Sequence, residues 1–129
     1  MYQHLAEKFM SEPRVKFIIS EGAHSLVDIY DYKLRFLHGH DIKYYGGVGG
    51  ITIPVNKAIA QWDKGHRVYL TCFGHFHQIF DGQNFVANGS MIGYNAFALS
   101  IKASPERPAQ QLFIIDKKRG KTIVAPILF

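Results

Sequence analysis

A single cysteine, Cys72, is all the thiol chemistry that 129 residues contain, so no intrachain disulfide can form and packing alone must hold the fold. An unpartnered thiol within an apolar run points to a reducing compartment, and a cytoplasmic location is expected. Long hydrophobic runs are missing as well. Nothing approaches the roughly 20 apolar residues of a membrane span, and the opening residues lack the basic, then apolar, then small order of a secretory leader, so no membrane partner is expected. Acidic side chains are scarce, 10 against 15 Lys and Arg, which gives a formal charge of +5. A field of that sign favours phosphate-bearing partners, nucleic acid among them, without any sequence selectivity. Repeats, linkers and low-complexity tracts are also absent. What remains, 47% hydrophobic and 19% charged, is the composition of one globular domain over residues 1–129, large enough to bury a core without staples.

Histidine, by contrast, is gathered at two places. An apolar run over 68–73 stops at Gly74 and is followed by His75 and His77; another over 34–37 is followed by His38, Gly39, His40 and Asp41. Between them lie a glycine-dense loop, 44–50, and a helix predicted over 54–62, with Val55, Ala58, Ile59 and Trp62 on one face and Pro54 in its first turn. Strand, crossover helix, strand predicts parallel pairing, which brings both strand ends to one edge of the sheet. His38 would then stand beside His75 and His77, at the edge where open α/β sheets place their ligands.

The rest of the pattern predicts a short helix within the first eleven residues, and strands over 15–20 and 25–32 that form a meander with 34–37. Further strands are expected at 85–87 and 96–102. A final hairpin of 111–116 and 122–127 would turn through Lys117, Lys118, Arg119, Gly120 and Lys121, read as a solvated basic turn. The fold class is α/β, strand-rich in its C-terminal half.

Imidazole is a leading ligand for divalent metals, and His38, His75 and His77 with one open position would suffice for a catalytic zinc. Asp41 is the nearest carboxylate able to orient a ligand. Gly47 and Gly49 permit close approach of backbone to a substrate, although no Lys-Ser or Lys-Thr follows to make a phosphate loop. His4, His24 and His66 read as ordinary surface or core histidines.

Three motifs in register carry a resemblance. Gly74-His75-Phe76-His77 resembles the Gly-His-x-His of the calcineurin-like metallophosphoesterases, His38-Gly39-His40 resembles the His-Gly-His that precedes it, and Asn88-Gly89-Ser90 resembles the Asn-Pro-Gly-Ser that follows. The likeness covers residues 34–100. It implies a sandwich of mixed β-sheets with flanking helices and two divalent ions, manganese, iron or zinc, that polarise a phosphoryl group and activate water. His38 and His75 would hold one ion and His77 the other, His40 would be a catalytic histidine, and Asn88 and Ser90 would lie in a substrate loop. The implied activity is that of a phosphatase or nuclease. The family's earlier motifs, Asp-x-His, Gly-Asp-x-x-Asp and Gly-Asn-His-Asp or Gly-Asn-His-Glu, do not occur. The expectation is therefore the C-terminal portion of such a fold, with half its dinuclear site missing and no activity alone. Two other readings stand beside it: a non-catalytic interaction module that forms homo-oligomers through exposed strands, and a small hydrolase with one ion on three histidines.

Overall fold

The computed structural model of the chain describes residues 2–100, 102 and 104–129. In chain order the elements are α1 (Tyr2–Lys8), β1 (His24–Ile29), β2 (Tyr32–Leu37), α2 (Thr52–Trp62), β3 (Leu70–Phe73), β4 (Phe80–Asp81), β5 (Phe85–Ala87), α3 (Ala96–Ser100), β6 (Ala109–Asp116) and β7 (Gly120–Leu128). A five-stranded sheet has the order β1-β2-β3-β5-β4, and β6 with β7 makes a second sheet. The central strands β2, β3 and β5 are parallel, as the crossover through α2 predicts, and the outer strands β1 and β4 are antiparallel to their neighbours.

Side chains alternate across a strand, and here the alternation sorts two cores. Leu34, Leu70, Cys72 and Val86 form one cluster, covered by Phe113 and Ile115 of the hairpin. Phe73, Phe85 and Ala87 form the other with Ile42 and with Val55 and Ile59 of α2. The sheet is thus covered on both sides, and burying each such leucine or phenylalanine contributes about 1.5–3 kcal/mol. Among the described residues, no helix is long and apolar enough to cross a membrane.

Among the described residues two buried side chains break the apolar pattern, Thr71 and the charged Arg35. Arg35, 1% exposed, lies among these layers. Its Nη2 donates to Asp63 Oδ1 at 2.9 Å and to the His66 carbonyl at 2.6 Å, and its guanidinium sits 5.5 Å from the Trp62 ring centre. A buried cation persists only when paired in this way, so Arg35 pins the C-terminal end of α2 to β2.

The hairpin is fixed to the sheet at its turn. Lys121 N donates to the Tyr69 hydroxyl at 2.9 Å, while the Lys121 ammonium meets the Asp81 carboxylate and the Gly82 carbonyl. Gly120 has φ +72°, and a Cβ there would stand 2.2 Å from the Tyr69 oxygen, so only glycine fits. The solvated basic turn therefore reduces to Lys117, Lys118 and Arg119; Lys121 is a structural clamp.

Two strand expectations fail. Among the described residues, 15–20 pair with no strand; Ile18 is 54% exposed and the ring of Phe17 lies 6.1 Å from that of Phe9. Apolar alternation makes a strand only beside a partner edge, so the meander shrinks to the β1–β2 hairpin, which turns at Tyr30 with φ +54°. Residues 96–100 of the predicted strand 96–102 are helical instead, and residue 101 lies outside the described residues. Asn95 Oδ1 accepts from Ala98 N at 2.9 Å, an N-cap that, with Ala and Leu after it, favours helix.

Candidate metal and phosphate site

The parallel register carries β2 and β3 to a common edge, and the ladder runs one step beyond them: Gly74 N donates to the His38 carbonyl at 3.1 Å. Gly39 adopts φ +107° beside it, and a Cβ there would press to 3.2 Å on the Gly74 oxygen and on the Phe73 ring. A glycine between the two histidines lets the strand tips approach this closely.

After Gly74 the backbone is strained. Phe76 N donates to the Gly74 carbonyl at 2.8 Å while His75 has φ +68°, which makes His75 the centre of a γ-turn of the rare, positive-φ kind. His77 also has positive φ, +58°. Such conformations cost of order 1–3 kcal/mol each and gather where geometry serves a site. The result is to throw both imidazoles onto the wall of a cleft of about 820 Å3, together with His38.

The rings of His38 and His75 are 4.9 Å apart and nearly perpendicular. His38 Nδ1 lies 3.3 Å from His40 Nδ1, and His40 Nε2 stands 3.3 Å from Asp41 Oδ1. In the tautomer that satisfies both contacts, His40 accepts at Nδ1, His38 donates from its own, and the Nε2 lone pair of His38 is left free for a ligand. Partial burial, and then the charges that His38, His40 and His77 would carry, hold the pKa of His75 below the ordinary histidine value. His77 faces the ring of Phe97, 6.5 Å away.

The structure thus brings His38, His75 and His77 to one cleft but does not close them into a cage. Among the described residues, no three His, Cys, Asp or Glu side chains converge closely enough to hold an ion together. His40 stands against His38, and Asp41 against His40; neither lines the cleft. The loop contributes Tyr44, Tyr45 and Gly46 to that wall, whereas Gly47 and Gly49 lie away from it. Asn88 is committed elsewhere: its amide nitrogen donates to Gln110 Oε1 and its oxygen accepts from Gln111 N, both at 2.8 Å, joining the main sheet to β6. The Ser90 carbonyl accepts from Ala109 N in the same seam. The pattern had also not marked the aromatic part of the wall, Tyr44, Tyr45, Tyr94 and Phe97. Their only trace in sequence is that each pair follows or precedes glycine-rich turns.

A mixed sheet with flanking helices and a covering hairpin is the metallophosphoesterase-like sandwich fold. Similar solved structures include wild-type Vps29 from Entamoeba histolytica complexed with Zn2+, 17% identical, with a TM-score of 0.55 over 87% of this chain and 63% of that one. An aspartate-to-alanine single mutant of that protein is 19% identical, with a TM-score of 0.54 over 88% of this chain and 65% of that one. The chain spans just under two thirds of the length of these proteins, and the likeness is one of fold. No protein-family model and no curated protein sequence matches the chain.

Proposed function

We propose that the chain carries part of a divalent-metal site for phosphoester hydrolysis, of the phosphatase or nuclease kind, in which His38 and His75 share one ion and His77 faces the bound phosphate. The observation that supports this reading most is the His38 and His75 pair, 4.9 Å apart at the tips of parallel strands in a cleft. Two neutral imidazoles fit one zinc, manganese or iron ion whose coordination is completed by water or by groups from elsewhere. They do not fit a pair of ions, because among the described residues no three His, Cys, Asp or Glu side chains converge to hold even one ion by themselves. A bound ion would supply Lewis-acid polarisation of a phosphoryl oxygen. His40 and Asp41 set the tautomer of His38, a positioning role rather than proton transfer to substrate. The net charge of +5 favours the approach of an anionic ester, nucleic acid included.

Equilibrium dialysis of tag-free protein against zinc or manganese tests the reading. One ion per chain is expected, with at least about 10-fold weaker uptake after His38→Ala or His75→Ala. Uptake that neither substitution changes would sink it. Hydrolysis of a generic phosphodiester and monoester with added manganese is expected to be slight for this chain alone.

A second reading is an interaction module. The outer face of the β6–β7 hairpin presents Leu112, Ile114, Ile123 and Ile127, each 45–56% exposed, a contiguous apolar patch of the kind that seeks a partner. Light scattering decides this one: a dimer indifferent to chelator supports self-association through the hairpin, and a monomer rules against it.

A further inference from the structure

We infer that the cleft selects phosphoesters that carry a flat aromatic group, specifically nucleoside phosphates, by stacking the base on the rings that share it with the histidines. The inference rests on the phosphate reading above and names the substrate class of that site.

Besides Phe76, whose ring lies 5.1 Å from that of His75, four aromatic side chains share the cleft with the three histidines: Tyr44 and Tyr45 from the loop after β2, and Tyr94 and Phe97 from the segment that opens α3. They are not core residues that happen to reach the surface. Tyr45 is 90% exposed, Phe97 60%, Tyr94 41% and Tyr44 38%. Rings of this size normally bury most of their area, and four that stay this exposed in one concavity suit a flat, partly apolar ligand. Phe97 stands 6.5 Å from His77, so a phosphate held at the histidines can place its substituent against Phe97. Tyr45 lines the cleft from the loop after β2, on a backbone that turns through Gly46 and Gly47 at φ +90° and +117°, with open space around both. Freedom of that kind lets its ring settle on the second face of a base.

The charged groups on the wall include Lys102 and Glu106, of opposite sign, so together they neither repel nor capture an anion. Selection therefore falls to the imidazoles at one end and the rings at the other. Base stacking on protein aromatics tolerates every base, because each has a π face. The size of the cleft, about 820 Å3, lies within the range for sites that enclose a whole small ligand and exceeds what a phosphate alone would fill.

The test is calorimetry on the full chain loaded with zinc, titrated with adenosine 5′-monophosphate, ribose 5-phosphate and adenosine. The nucleotide is expected to bind on the order of 10-fold tighter than ribose 5-phosphate, since a stacked base contributes about that factor or more. Tyr45→Leu and Phe97→Leu, both at exposed positions that folding does not need, should each remove most of that advantage and leave ribose 5-phosphate binding as it was. Equal affinity for nucleotide and sugar phosphate, unchanged in the two variants, would overturn the stacking wall and leave the phosphate site standing. Equal affinity for nucleotide and adenosine would overturn the phosphate end, and with it the function proposed above.

Discussion

Strands β2 and β3 are two different materials along their length. In their middles Leu34, Arg35, Leu70 and Thr71 are all at most 1% exposed, sandwiched between α2 and the hairpin. A few residues on, at the tips, His38 and His75 stand in the open, placed by backbone turns and by each other rather than by packing. The same parallel register produces both. A closed interior sets where the tips go, and the tips are then free to hold strained, exposed, polar side chains that the interior would not tolerate. Stability and ligand binding should therefore separate cleanly along a single pair of strands.

The strongest blow to the interior is Arg35→Ala. Removing one partner of a buried ion pair costs about 3–5 kcal/mol when the other is left fully buried; Asp63 keeps some solvent, so about 3 kcal/mol is expected from urea unfolding. Removing Asp63 as well should recover part of it. A loss below about 1 kcal/mol would mean the interior is not where stability resides.

Alkali offers a milder probe of the same layer. Burial pushes the Cys72 thiol up to about 12. The unfolded thiol ionises near its ordinary value while the folded one stays protonated, so this contribution is complete below about pH 9 and is lost as pH climbs toward 12. The slope is up to about 1.4 kcal/mol per pH unit. Chemical denaturation between pH 8 and 11 should show a steeper fall for the wild-type chain than for Cys72→Ala, and a parallel fall would contradict a closed interior at this position.

At the tips the expected stability changes are small. His75→Gly relieves a left-handed backbone at about 1–2 kcal/mol but adds chain entropy of about 0.5–1 kcal/mol, so the protein should become more stable by less than about 1 kcal/mol while losing zinc. Clear destabilisation by this substitution would show that the γ-turn is not strained. His38→Ala, at an exposed position, should change unfolding free energy by no more than about 0.5 kcal/mol.

How much of this was legible in the sequence depends on the range of the interaction involved. The crossover unit was readable because apolar runs of four to six residues flank a helical period, and handedness leaves one way to join them. Gly74 was readable as the place where the apolar run ends. Residues 15–20 were misread because a strand is a relation between two segments, and alternation in one says nothing about whether an edge lies beside it. Residues 96–100 were misread because the cap supplied by Asn95 was passed over in favour of bulky apolar residues. Asn88 carries a family-like motif yet serves the seam between sheets, since an amide binds whichever backbone faces it.

Local chemistry in the chain was enough to determine that an α/β sheet forms, that two strands end in histidines and that no intrachain disulfide braces these 129 residues. Tertiary structure alone decided that Arg35 would be a buried clamp, that Lys121 would leave the basic turn to bind Asp81, that His38 and His75 would pair while His77 turned toward Phe97, and that Tyr44, Tyr45, Phe76, Tyr94 and Phe97 would line one cleft. Those outcomes depend on distances between residues far apart in sequence, and such distances exist only once the sheet, the helix and the hairpin have closed on one another.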